Sequence, residues 1–178
     1  LPNQTLKKRA SGLRYLWLTV LMVIVDQITK LWVAAEFELY ESRVIIDGLF
    51  NFTYVHNYGA AFSFLSDGGG WQRWFFTVIA VAISAVLLIW LRRNPVSFWR
   101  QNLSFALILS GAIGNVADRM MYGYVIDFLD VHYQGWHWPA FNIADMAITI
   151  GAALMLLEAF VDNRRDDERK GQNQEGNK

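Results

Sequence analysis

The chain has no cysteine, which removes disulfides, thiolate metal sites and cysteine nucleophiles together and leaves its redox compartment unmarked. It also has no net charge, since 16 lysines and arginines balance 16 aspartates and glutamates. Nothing in that balance favours nucleic acid or an acidic surface as a partner. Neither an HExxH nor a GxSxG motif occurs, so two common hydrolytic designs are missing. The three histidines, His56, His132 and His137, lack metal-ligand spacing and read as interfacial or hydrogen-bonded loop residues. No metal and no cofactor is expected. Internal repeats and low-complexity tracts are absent too. Charge is scarce altogether, at 18% of 178 residues, against 54% apolar residues and eight tryptophans. A soluble protein with four buried helices would have too few charges to cover its surface. Composition therefore points to the membrane and to one domain.

Four stretches are suited to crossing a bilayer: 13–35, 71–91, 103–119 and 141–161. Each is close to the length that a helix rising ~1.5 Å per residue needs to traverse a core of ~30 Å. The basic start at Lys7, Lys8 and Arg9 leads into an apolar run too long for a signal-peptide core, with no small-residue cleavage site after it, so no cleavable signal is expected. Between the first two stretches, LFNFTYVHN alternates with the period of a strand. NYGAAFSF follows, where Gly59 and two alanines allow close backbone approach. The triplet Gly68, Gly69 and Gly70 reads as a connector. Trp71, Trp74 and Trp90 stand near the ends of the second stretch as interface anchors do. In the third, Ser110, Gly111, Ala112 and Gly114 suit tight helix packing. YGYVIDFLDVHY alternates again, with Asp127 and Asp130 on opposite faces if the segment is extended.

The basic residues that flank the spans, at 7–14, 92–100 and 164–170, fall on one side of a four-span arrangement, while 36–70 contains only Arg43 and 120–140 contains none. By the positive-inside rule both termini are cytoplasmic and the two longer loops face out. The expected fold is an α-helical integral membrane protein of four transmembrane helices, with a small extracytoplasmic β-structure built from the two outer loops. Residues 1–161 form the membrane domain. Residues 162–178 are charged and lack apolar periodicity, the pattern of a flexible cytoplasmic tail.

Polar residues concentrate where a membrane protein should least accept them. The stretch 115–145 gathers Asn115, Asp118, Arg119, Asp127, Asp130, Asn142 and Asp145 between apolar runs, and Asp26 and Lys30 interrupt the first span at i,i+4 spacing, where they can pair. Helical rise sets Asp26 ~20 Å up the first span, Asn115 and Arg119 ~18 and ~24 Å up the third, and Asp145 ~6 Å below the outer end of the fourth. Scattered structural residues would not share one level. The convergence marks a site near the outer surface and argues against a pathway across the membrane; the alternative class is a transporter or an assembly subunit, in which buried Asp and Arg would line a conduction path or bind another subunit.

With cysteine, metal motifs and an activated serine absent, aspartate is what remains in quantity. Two carboxylates held close cannot both ionise, and such a pair can deprotonate a water and protonate a leaving amine. The residues alone leave the choice among Asp118, Asp127, Asp130 and Asp145 open. Asp118 reads as a helix-end residue paired in water or with a neighbour. Asn115 and Arg119 are i,i+4 and face together.

DQITK (Asp26, Lys30), NYGAAF (Asn57, Gly59), GNVADR (Gly114, Asn115, Arg119), VIDFLD (Asp127) and FNIAD (Asn142, Asp145) resemble, in this order, the motifs of bacterial lipoprotein signal peptidases, also called signal peptidase II. The resemblance covers 13–161. It implies an intramembrane aspartyl endopeptidase whose catalytic pair is Asp127 and Asp145. That enzyme would cut prolipoproteins just before a diacylglyceryl-modified cysteine in the bacterial inner membrane. Asn57, Gly59, Asn115, Arg119 and Asn142 would bind substrate or support the pair, and Asp26 and Lys30 would form a structural ion pair. Prolipoproteins and membrane lipids are the expected partners, and a monomer the expected state.

Overall fold

The computed structural model of the chain describes residues 10–59 and 69–175, with side chains to 161. A short 3-10 turn, Gly12–Tyr15, leads into α1 (Leu16–Glu36); then follow β1 (Ser42–Ile46), β2 (Phe50–Asn57), α2 (Trp71–Arg93), α3 (Trp99–Tyr122), β3 (Val125–Tyr133), β4 (Trp136–His137) and α4 (Ile143–Glu175). Local chemistry sets the helix ends. Phe37 turns extended after α1, and α2 stops at Asn94, whose extended backbone is what a following proline demands. Gly123, at φ 88°, closes α3 in the left-handed conformation and returns its N–H to the Arg119 carbonyl.

Among the described residues, three helical segments are long and apolar enough to cross a membrane: Gly12–Glu36, Trp71–Arg93 and Ile143–Val161. Only 22%, 17% and 17% of their most apolar windows are buried by the protein itself. So much uncovered apolar surface is compatible with lipid and not with water. The third stretch expected to cross differs. α3 begins earlier than expected, at Trp99, and is long enough, but Asn102, Ser104, Ser110, Asn115, Asp118 and Arg119, all buried, make it too polar to count with the others. Its position explains this. α3 packs against α1, α2 and α4, so its side chains meet protein rather than lipid and escape the demand for hydrophobicity.

Small residues permit that central position. A Cβ on Gly111 would collide with the Ala144 carbonyl oxygen of α4, and one on Gly114 would stand 2.6 Å from Asp26 Oδ2 of α1. On α4, a Cβ at Gly151 would meet Ile108 Cγ1 at 2.7 Å and the Ser104 carbonyl at 2.8 Å. Ser110 turns its hydroxyl to the Leu107 carbonyl and packs.

The strands form one antiparallel sheet in the order β1-β2-β3-β4. β2 and β3 were both legible as alternating segments; β1 and the two-residue β4 were not expected. All five side chains of β1 are exposed, so burial left no alternation there to read. The histidines, expected in loops, lie on strands β2, β3 and β4. His56 stacks on Tyr124 at 3.6 Å, and His132 stacks on His137 at 4.7 Å. The run from 60 to 68, with its alanines and Gly68, lies outside the described residues. The sheet rests on the end of α1 through Val33, Phe37, Tyr54, Ile126, Phe128 and Leu129. A second apolar cluster, Leu87, Leu91, Phe105 and Leu109, joins α2 to α3 beside the 3-10 turn. At the other end of the chain the backbone of α4 stays helical to Glu175, through the segment expected to fray. Arginine, lysine, glutamate and glutamine alternate there with weaker helix formers such as Asp and Asn, and no proline interrupts the run.

Gly111→Ala is expected to cost about 1–3 kcal/mol, the usual range for overpacking, and thermal unfolding in detergent should show a lower midpoint. Val78→Ala, on the exposed face of α2, should change stability by no more than about 0.5 kcal/mol.

Candidate active site

β3 carries Asp127 into the protein. Register places it opposite Val55 of β2, and the strand is buried from Val125 to Asp130 on both faces. Asp127 is 1% exposed. Two amides hold its carboxylate: Asn57 Nδ2 donates to Oδ2 at 2.8 Å and Asn142 Nδ2 donates to Oδ1 at 2.7 Å. Asn57 is itself fixed, its Oδ1 accepting the Gly59 N–H at 2.9 Å.

Asp145 stands in the first turn of α4. Asn142 Oδ1 accepts the Asp145 N–H at 2.9 Å, and Asp145 Oδ2 accepts the Asn142 N–H at 3.4 Å. This reciprocal pair is the capping-box geometry, which satisfies two N–H groups that an α-helix otherwise leaves open. Asn115 Nδ2, from α3, donates to Asp145 Oδ1 at 2.8 Å. One residue therefore joins the two carboxylates: the Asn142 amide nitrogen binds Asp127 while its oxygen binds the backbone of Asp145. Asp145 is less enclosed than Asp127 and lines an apolar cavity of about 380 Å³ with Trp138, Phe141, Met146, Ile148, Thr149 and Ile150.

Beneath the carboxylates lies a charged cluster larger than expected. Lys30 Nζ contacts Asp26 Oδ2 at 2.8 Å, as the i,i+4 spacing suggests, and also Asp118 Oδ2 at 2.9 Å and Asn115 Oδ1 at 3.1 Å. Of the two alternatives open for Asp118, a partner in water or a neighbouring side chain, the second is found: it is fully buried and pairs with Lys30 of α1. Arg119 points elsewhere. Its guanidinium donates to the Gly59 carbonyl at 2.8 Å and the Asn115 carbonyl at 3.3 Å, tying the segment after β2 to α3. Sequence reasoning passed over Gln27, whose amide donates to Asp118 Oδ1 at 2.8 Å and to Asp26 Oδ2 at 3.2 Å. Its i,i+3 relation to Lys30 was the available signal.

Asp130 is not part of the pair. It accepts from Asn51 Nδ2 at 2.9 Å and contacts His137 Nδ1 at 2.8 Å. Among the described residues, no three histidine, aspartate or glutamate side chains converge as a metal site would require.

Burial pushes the Asp127 carboxyl well above the usual carboxylate range, and the neighbouring Asp145 charge adds to the effect; the Asn57 and Asn142 amides and Lys30 pull the other way. A carboxyl so placed gives up its proton at higher pH than an ordinary carboxylate. Asn142 links it to Asp145, binding the carboxylate of one and the backbone of the other.

Apolar helices, joined to a small sheet that carries the buried Asp127, define a helical membrane-spanning protein. The family model of signal peptidase (SPase) II matches residues 18–161, and the chain belongs to that family of peptidases. It is 55% identical to the lipoprotein signal peptidase of Shewanella halifaxensis over 90% of this chain and 94% of that protein. The Shewanella sediminis protein of the same name is also 55% identical, over 92% of each. Two solved bacterial membrane enzymes share the fold, each at 31% identity. Their TM-scores are 0.76, covering 84% of this chain and 89% of the other, and 0.71, covering 82% and 92%. Membership in a peptidase family displaces the transporter and assembly-subunit alternatives.

The raised Asp127 value has a consequence for stability. Above the ordinary carboxylate value of 3.8 the unfolded chain has released a proton that the folded protein still holds. Stability from this group is then fully present below that value and declines as pH rises toward the folded value. Thermal unfolding midpoints in detergent should fall from pH 5 to 9, and Asp127→Asn should flatten the slope.

Proposed function

We propose that the chain is an intramembrane aspartyl endopeptidase that removes signal peptides from prolipoproteins by cutting before a diacylglyceryl-modified cysteine. The observation that carries this reading is the junction at Asn142, whose single side chain binds the Asp127 carboxylate and the backbone of Asp145. The more enclosed Asp127 keeps the shared proton and donates it to the scissile carbonyl, while Asp145, which borders the apolar cavity, takes a proton from the attacking water. The bond from water oxygen to carbonyl carbon forms first. The C–N bond then breaks as the amine leaves with a proton returned by the pair.

The same reading makes α3 a fourth crossing, shielded by the other three helices, with both termini cytoplasmic and the sheet on the outer side. The enzyme then sits in the bacterial inner membrane with its site near the outer face. A peptide bond reaches that depth when the adjacent cysteine carries acyl chains, because each buried methylene contributes ~0.8 kcal/mol to partitioning. Asn57, Gly59, Asn115 and Arg119 hold the pair and the lipid-bearing residue, and the protein acts as a monomer.

Asp127→Asn and Asp145→Asn should each abolish cleavage of a lipidated precursor without unfolding the protein, whereas Asp130→Asn should retain most activity. In the same assay a membrane-anchored precursor with serine in place of the lipidated cysteine should stay uncut; efficient cleavage of it would show that anchoring alone suffices. Full activity of either dyad variant would remove that aspartate from the chemistry. Orientation is checked separately: a reporter fused after Trp99 should be cytoplasmic and one inserted at Gly69 outside, and the inverse result would overturn the topology.

A further inference from the structure

The ion cluster below the carboxylates makes a pattern that a simple structural pair would not require. Asp26 Oδ1 accepts the backbone N–H of Ala144 at 2.8 Å, and Ala144 immediately precedes Asp145. Asp118 Oδ2 accepts the backbone N–H of Ile126 at 3.1 Å, and Ile126 immediately precedes Asp127. Lys30 grips both of these carboxylates, at 2.8 and 2.9 Å. Its third contact, to Asn115 Oδ1 at 3.1 Å, reaches the amide whose nitrogen binds Asp145. The three contacts of the ammonium thus lead, by one further residue, to the carboxylate of Asp145 or to the backbone immediately before Asp145 and Asp127.

We propose that Lys30 is a positioning residue for the reaction, acting as a yoke that sets the separation and shared charge of Asp127 and Asp145 through Asp26, Asp118 and Asn115. This rests on the reading of Asp127 and Asp145 as the catalytic pair. Lys30, Asp26 and Asp118 are each no more than 1% exposed, so solvent neither competes for the contacts nor screens the charge. The charged groups facing the yoke are Asp26 from α1, Asp118 and Arg119 from α3, Asp127 from β3 and Asp145 from α4. Lys30 contributes to the electrostatic balance at Asp127 directly, pulling its value down against burial. Neither strut carries a proton in the reaction. Each fixes the residue before a reacting group, where a displacement of an ångström can lower turnover by about 10²-fold.

The test is the pH dependence of kcat and KM for a lipidated precursor in Asp26→Asn, Asp118→Asn and Lys30→Met, normalised to folded protein by circular dichroism and thermal unfolding. In each Asn variant kcat should fall about 10- to 100-fold while KM stays within about threefold, as expected when geometry rather than binding is lost. The profiles should also move in opposite directions. Removing an anion in the Asn variants shifts both limbs to lower pH, and removing the cation in Lys30→Met shifts them to higher pH. A purely structural cluster would reduce the yield of folded enzyme but leave kcat per folded molecule and both limbs unchanged, and that result overturns the proposal. Should the variants not accumulate, amide nitrogen shifts of Ile126 and Ala144 in the unaltered enzyme should titrate with the pH profile of kcat, and fixed shifts would overturn it equally. Asp127→Asn and Asp145→Asn run alongside: activity there refutes the dyad itself, whereas inactivity there with unaltered strut variants refutes only the yoke.

Discussion

A lysine ammonium enclosed by transmembrane helices is tolerable only if every hydrogen finds an acceptor, and Lys30 meets that condition with Asp26, Asp118 and Asn115. The desolvation penalty of a buried ion is of order several kcal/mol even after relaxation, so the contacts cannot be approximate. Because the three acceptors come from α1 and α3, the demand fixes how those helices face each other. Because Asp26 and Asp118 also bind backbone N–H groups of α4 and β3, it extends to two further elements. The polar core is therefore what decides the relative placement of helices that apolar packing alone would leave free to slide.

Close packing is the second condition. Carboxylate-to-backbone contacts such as Asp26 to Ala144 need helix axes nearer than large side chains allow. Gly114 makes room for Asp26 and Gly111 for the first turn of α4. The small residues of α3 and the charged residues of α1 are two halves of one requirement: without the glycines the acceptors could not reach, and without the acceptors the glycines would only weaken the helix.

Much of the site was legible in the sequence because a membrane makes polar residues conspicuous. Asp26 with Lys30, Asn115 with Arg119, and Asn142 with Asp145 stand out against apolar runs, and alternation disclosed β2 and β3. What was hidden had physical reasons. Asp118 reads as a helix-end residue because nothing in its own stretch of chain identifies its partner, which lies on α1. Gln27 hid because an amide beside Asp26 has no charge to account for. β1 hid because neither of its faces is buried, and α3 escapes a hydropathy criterion because protein, not lipid, surrounds it.

The two carboxyls come from elements of different kinds, and this matters for what they can do. Asp127 lies on the stretch of β3 that is buried on both faces, paired with Val55 of β2 and held by two amides, so its carboxyl is both fixed and shielded. Asp145 sits on the first turn of a helix, where N–H groups converge and one side opens to an apolar cavity. If the two act as the proposed catalytic pair, environments this unequal would let two identical side chains divide the roles of acid and base. The Asn142 side chain belongs to both environments, capping the helix with its oxygen and binding the strand aspartate with its nitrogen. Replacing it by aspartate would keep an acceptor for the cap but remove the donor to Asp127 and add a third carboxylate. Asparagine alone among the usual capping residues carries its acceptor and its donor on separate atoms, so the residue that caps α4 with its oxygen also reaches the strand aspartate with its nitrogen.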